Sequence, residues 1–251
     1  PRSRGLGDVY KRQSKTSMFT KTRVVITVPS GVTEVERRAV EDAARAAGAQ
    51  EVELIEEPMA AALGAGLPVF EASGSMVVDI GGGTCDIAVM SLGGIAARKS
   101  VKIAGNALNE AIIGHMKKEH NLLIGDVTAE DIKIKIGSVS EYDGEGAMEV
   151  RGRNLADGLP NSIEVTSEEI RNVLTEPVGE IVEAIRETLE VTLPELAADI
   201  IDKGIYITGG TALLRGLPEL ISKETKITVH IPENPMDVVA IGTSVKLRRA
   251  R

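Results

Sequence analysis

Asp79-Ile80-Gly81-Gly82-Gly83-Thr84 lies between two short apolar runs. Three successive glycines let a turn present its N–H groups to a polyanion with no Cβ in the way. Asp79, at a strand end, is placed to hold a magnesium ion through water, since Mg²⁺ takes one or two carboxylates and keeps its hydration. Thr84 adds a hydroxyl beside the phosphates. A glycine-rich β-turn with a structural threonine would read the same way. A second constellation, Ile205-Tyr206-Ile207-Thr208-Gly209-Gly210-Thr211-Ala212-Leu213-Leu214, begins 126 residues further on. There a strand runs into Gly-Gly and opens a helix, which lets backbone approach a flat base or a phosphate. It matches neither a Walker loop nor a Rossmann fingerprint. A tight βα turn fits it equally well.

The elements that must position these residues alternate along the chain. Val24–Val28 is a β-branched run closed by Pro29, read as a buried strand. Thr33 with Glu36 is a capping box opening a helix. Val35, Ala39, Val40, Ala43 and Ala47 are spaced to bury one face of it before Gly48 ends it. Val52–Ile55 is the next strand, and Pro58 suits the first turn of a helix over Met59–Ala65. Met76–Ile80, Cys85–Ser91 and Ile95–Ile103 read as a three-stranded meander. A helix from about Asn106 to His120 follows, then one from about Ala129 with Thr128 as cap. Residues 138–161 read as strand and loop, and Thr166 with Glu169 caps a long helix to about Leu193. Strand Ile205–Thr208, strand Ile227–Ile231 and a helix from about Pro235 complete an α/β chain.

Composition excludes several function classes. Residues 1–23 hold seven basic residues and one acidic residue, which leaves a net charge of −14 on residues 24–251. So acidic a body repels nucleic-acid backbones. No apolar run approaches the roughly 20 residues of a membrane span. The one cysteine, Cys85, excludes an internal disulfide, fits a reducing cytosol, and reads as a packed residue rather than a nucleophile. His115, His120 and His230 show no metal-ligand spacing and read as ordinary surface or helix residues. Pro1–Gln13 has no apolar periodicity and reads as a non-native scar.

In their order along the chain, DIGGGT resembles the second phosphate loop of the actin, sugar-kinase and DnaK superfamily, and ITGGTALLRG its adenosine motif. VPSGVTEVERRAVEDAARAAGA, LIEEPMAAALGAGLP and GSMVVDIGGGT resemble the MreB family of bacterial actin-like, rod shape-determining proteins, over residues 22–248. That resemblance implies an actin-like, ribonuclease H-like ATPase fold that binds ATP and Mg²⁺. It implies that Glu57, in EEPMAAALG, orients the attacking water, with Thr84 as its partner. A carboxylate facing phosphates is suited to align water and accept its proton. Capping the helix is a compatible role. The phosphate and adenosine contacts would come from Asp79, Gly81, Gly82, Gly83, Thr84, Gly105, Gly209, Gly210, Thr211 and Ala212. Glu130 and Lys133 are similar to the pair that binds the ribose hydroxyls. Their i,i+3 spacing puts both on one helix face, as it would for a surface salt pair. Where the family has Gly-Asp and a later Asp, this chain has Gly105-Asn106 and Asn109, which removes two charges.

The family's first phosphate loop, Asp-x-Gly-Thr, does not occur before Val24, so the resemblance implies an N-terminally truncated member. It apportions residues 14–66 to a first domain, 67–99 and 162–234 to the core of a second, and 100–161 to a small outer lobe. Residues 235–251 would return to the first domain as a helix. The expected function is an ATPase forming membrane-associated filaments in the cytoplasm, with its own copies and the cell-wall elongation machinery as partners. The alternative is a DnaK-type chaperone ATPase domain, whose motifs depart from EEPMAAAL and IAGNALN.

Overall fold

The computed structural model describes residues 22–249; the segment Pro1–Gln13 lies outside them. Strands β1 (Arg23–Val28) and β2 (Glu51–Glu56) pair in parallel, joined through helix α1 (Glu34–Ala46). Thr33 caps α1 reciprocally: its N–H donates to the Glu36 carboxylate at 2.8 Å and its hydroxyl accepts from the Glu36 N–H at 3.3 Å. Gly48 ends the turn at φ +103°. The expected burial fails here, because α1 contains no buried residue and Val35 is 77% exposed. β1 is half-buried too, apart from Val28.

Helix α2 (Glu57–Gly64) follows β2 directly, with Pro58 in its first turn. The meander β3 (Ser75–Ile80), β4 (Cys85–Ser91) and β5 (Gly94–Val101) then joins β9 (Ile205–Thr208) and β10 (Val229–His230) in a five-stranded sheet ordered β10-β9-β3-β4-β5. Side chains alternate across a strand, and both faces of this sheet are covered. Met76, Val78, Ile80, Ile87 and Val89 pack into the core formed with α3 (Gly105–His120) and α5 (Ser167–Glu190). Val77, Ala88 and Met90 pack on the opposite side with the Ala60-Ala61-Ala62 run of α2 and with Val238. Period two therefore turns Asp79 and its cross-strand partner Asp86 toward the α2 side.

A second sheet, β6 (Leu122–Leu123), β7 (Ala147–Asn154) and β8 (Pro160–Thr166), is antiparallel. Helix α4 (Asp126–Ile136) begins three residues before Ala129 and follows Gly125, which offers no side-chain cap; Thr128 lies inside it. The long helix α5 is capped by Thr166, as read, but stops at Glu190. Leu193 precedes a separate helix, α6 (Pro194–Lys203), whose start is marked by Pro194. A further helix, α7 (Leu217–Thr225), follows the turn after β9, and the next strand is only Val229–His230.

Helix α8 (Val238–Arg249) lies against α2 with almost nothing between the two backbones. A Cβ on Gly64 would stand 1.9 Å from the Val238 carbonyl oxygen, and one on Gly242 would stand 1.7 Å from that of Ala60. Lys246 reaches from α8 to Glu53 at 2.8 Å, and Arg23 bonds the same carboxylate at 2.8 Å. No helix of the described residues is long and apolar enough to cross a membrane.

Candidate functional site

Gly81 to Thr84 form the turn between β3 and β4, closed by a Gly81 N–H bond to the Thr84 carbonyl at 3.0 Å. The tip is open: Gly83 and Thr84 are exposed, and a Cβ on Gly83 would meet nothing within 4 Å. The base of the loop is locked. The Gly81 carbonyl accepts from the Gly105 N–H at 3.1 Å and from the Thr211 hydroxyl at 3.0 Å, and the Gly82 carbonyl accepts from the Asn106 N–H at 2.8 Å. One carbonyl thus ties the triglycine loop to the start of α3 and to the turn after β9. Gly105 leaves room at that junction, where a Cβ would lie 3.0 Å from Thr211 Oγ1 and 3.3 Å from Lys133 Nζ.

The turn after β9 is a 3₁₀ turn, Gly210–Leu213, that buries Thr211 and Ala212. Its strained residue is Gly209, at φ +84°, where a Cβ would fall 2.3 Å from the Ile80 carbonyl oxygen. Gly210 is free of that constraint and faces Met236, 3.8 Å from where its Cβ would be. A cavity of about 340 Å³ opens between these pieces, walled by Gly81, Gly82, Gly105, Lys133, Gly210 and Met236. That volume lies in the range of sites for small ligands.

Lys133 is buried, and its ammonium donates to the Gly105 carbonyl at 3.1 Å and to Glu130 at 2.8 Å. Asn109 donates to the same Glu130 oxygen at 2.8 Å, so the asparagine keeps a hydrogen bond where a charge is missing. Burial would raise the Glu130 acid, but bonds from Lys133 and Asn109 prevail and hold it below the usual carboxylate range. Glu130 thus stands as an oriented anion at the cavity wall, able to accept hydroxyl hydrogen bonds.

On the other side of the loop three carboxylates share the α2 side of the sheet and act on one another through their charges. Asp79 pairs across the strands with Asp86, and Glu57 opens α2 on the face both occupy. Burial pushes the Asp79 acid up, against a 3.1 Å bond from the Thr208 hydroxyl, and Asp86 adds to the rise. Glu57 is raised by burial and then by Asp86 and Asp79. Like charges gathered in low dielectric favour a cation or a proton. This donor set fits a hydrated Mg²⁺, which needs few direct carboxylates. Cys85 sits in the core beneath, its thiol raised by burial, consistent with a packing role.

Of the nucleotide-site residues expected from the sequence, Gly81, Gly82, Gly105, Glu130, Lys133, Gly210 and Thr211 line the cavity; Asp79, Gly83, Thr84, Gly209 and Ala212 belong to the strand end and turns beside it, and Glu57 opens α2 on the other side of the loop. Asp86 was missed, although a four-residue turn after Asp79 makes the two facing partners. The histidines are a correction: His115 and His120 do converge, on Glu169, despite a spacing that suggested nothing. Only His230 stays outside that cluster, its ring against Tyr206.

The MreB/Mbl protein family model matches residues 4–251. The chain is 50% identical over 230 residues to the cell shape-determining protein Mbl of Bacillus subtilis, covering 92% of this chain and 69% of that protein. It is 52% identical over 229 residues to the cell shape-determining protein MreB of Escherichia coli, covering 91% and 66% respectively. Crystal structures of MreB5 of Spiroplasma citri, bound to ADP and to AMPPNP, superpose with a TM-score of 0.90 at 38% identity. The ADP-bound form covers 97% of this chain, which spans 73% of that one. The fold is therefore actin-like, and the chain belongs to the MreB/Mbl family.

Proposed function

We propose that this chain carries the nucleotide-holding part of an ATP-hydrolysing, filament-forming protein that determines rod cell shape. The observation that carries the reading is the Gly81 carbonyl bonded by both Gly105 and Thr211, which joins phosphate loop and adenosine turn around one cavity. The nucleotides named with the Spiroplasma structures support it. The name borne by the Bacillus and Escherichia relatives favours a cytoskeletal role over the chaperone alternative.

In this reading the base lies by Gly209, Gly210, Thr211 and Ala212, and the ribose hydroxyls bond Glu130 and Lys133. The phosphates lie along Gly81, Gly82, Gly83 and Thr84, with Gly105 admitting the backbone closely. Bound Mg²⁺ neutralises charge on the phosphate oxygens. Asp79 would hold it through water. Glu57, its acid raised by burial and by Asp86 and Asp79, is a stronger base toward water than an ordinary carboxylate. Thr84 helps fix that water. Nucleotide state would govern association with further copies into filaments beneath the cytoplasmic membrane, where they organise cell-wall elongation enzymes.

The chain spans about two thirds of the Escherichia relative, and catalysis needs groups on all sides of the phosphates. We expect residues 14–251 alone to bind ATP weakly, hydrolyse it negligibly and form no ordered filaments. Glu57→Ala is therefore tested in a chain that also carries an Asp-x-Gly-Thr loop. ATP affinity should be nearly unchanged while single-turnover hydrolysis falls by about 10²–10⁴. Normal turnover in the variant would remove Glu57 from the mechanism.

A further inference from the structure

We propose that His115, His120 and Glu169 form a binding site for one transition-metal dication of the zinc type, remote from the nucleotide cleft. His115 Nε2 lies 2.6 Å from Glu169 Oε1, and His120 Nε2 bonds the same oxygen. The three donor atoms lie within 4.8 Å of one another. Two imidazoles and a carboxylate are a donor set that zinc accepts, with a water in the fourth position. Mg²⁺ and Ca²⁺, which prefer oxygen ligands, are disfavoured by the same set.

Each ligand is held by its element. His120 is the last residue of α3, and Asn121 turns the backbone left-handed at φ +50°. The two rings stand edge to face, 5.7 Å apart. Glu169 is the third residue of α5, its N–H bonded to the capping hydroxyl of Thr166 at 3.2 Å, so its backbone is fixed. The side chains of His115, His120 and Glu169 are 21%, 26% and 24% exposed. They are shielded enough to be ordered, yet open to an entering ion and its water.

In the ion-free arrangement each ring carries a proton on Nε2 and donates it to the one Glu169 oxygen. Zinc would take the same two Nε2 lone pairs, the protons moving to Nδ1 or leaving to solvent. Tetrahedral bonds of about 2.0–2.1 Å put donor atoms about 3.4 Å apart. The carboxylate thus withdraws by less than about 1 Å, within the reach of Glu side-chain rotation. Helix rise places His115 and His120 roughly 15–22 Å along α3 from Gly105. The ion would pin the end of α3 to the start of α5 without touching the phosphate loop.

The test is calorimetric titration of the untagged 251-residue chain with zinc chloride in a non-chelating buffer, with excess Mg²⁺ present. One ion per chain at micromolar affinity or better is expected. His120→Gln and Glu169→Gln should each weaken binding at least about tenfold, while His230→Gln leaves it unchanged. Visible absorption of added cobalt(II) reads the coordination in the unaltered chain, so the outcome does not depend on a variant folding. Absence of both heat and cobalt bands from the folded parent would overturn the site. Equal affinity in parent and His120→Gln, or loss in His230→Gln, would do the same.

Discussion

Gly209 and Gly210 stand side by side in the turn after β9, yet alanine should be tolerated at only one of them. At Gly209 the backbone has φ +84° and ψ 169°, a region an L side chain enters at a cost of about 1–3 kcal/mol. A Cβ there would also lie 2.3 Å from the Ile80 oxygen, 2.6 Å from its carbon and 2.9 Å from an Asp79 oxygen. Two of these are backbone atoms of β3, which cannot rotate away, so overpacking adds about 1–3 kcal/mol. The expected loss for Gly209→Ala is therefore about 2–6 kcal/mol. At Gly210 the nearest atom is Met236 sulfur at 3.8 Å, ordinary contact with a flexible side chain. Gly210→Ala should stay within about 1 kcal/mol, and restricting the unfolded chain even favours it. With a urea slope of about 2 kcal/mol/M, the first variant loses about 1–3 M in midpoint and the second less than about 0.5 M. Urea titrations followed by far-ultraviolet circular dichroism, without nucleotide, measure both. Equal midpoints would refute the assignment of the strain to Gly209.

Two further outcomes follow from the charges around the cleft. Asp79 and Glu57 are raised in the folded chain, so the folded state binds their protons more tightly than the unfolded state does. Stability should then fall as pH rises from the ordinary carboxylate range through the raised values. Asp79→Asn should shrink that fall and raise the melting temperature by a few degrees at neutral pH. The same variant should lose the Mg²⁺ dependence of ATP affinity; thermal scans across pH and nucleotide titrations with and without Mg²⁺ check the pair. Lys133→Met keeps the buried stem but strips Gly105 and Glu130 of their cation. ATP affinity should drop at least about tenfold, roughly 1.4 kcal/mol, as measured by calorimetry.

The two glycine motifs were legible because their chemistry is local: a turn and its glycines sit within six residues. The caps at Thr33 and Thr166 were legible for the same reason, each being a contact three residues long. Sequence cannot say which of two adjacent glycines carries the positive φ, and the structure gives it to Gly209. The α1 stripe shows the limit of periodicity, which gives a helix an apolar face without saying what covers it. The helix at Pro194 was missed although Pro194 marks a start, and the helix expected to open at Gly-Gly is a 3₁₀ turn with α7 beginning only at Leu217. His115, His120 and Glu169 meet only because α3 and α5 pack together, a long-range fact that no spacing records.

The meeting of Gly64 with Gly242 acts as a gauge block for the cleft. Helix α2 starts at Glu57, on the side of the sheet that carries Asp79 and Asp86, and α8 starts just after Met236, which faces Gly210. The glycines touch about 10 Å down α2 and about 6 Å down α8. The thickness of backbone there therefore sets how far Glu57 stands from the turn after β9. A side chain at either glycine would act as a spacer between the two helices while leaving every residue of the cleft intact. In the proposed reading, such a spacer would act on turnover from a position that touches no ligand.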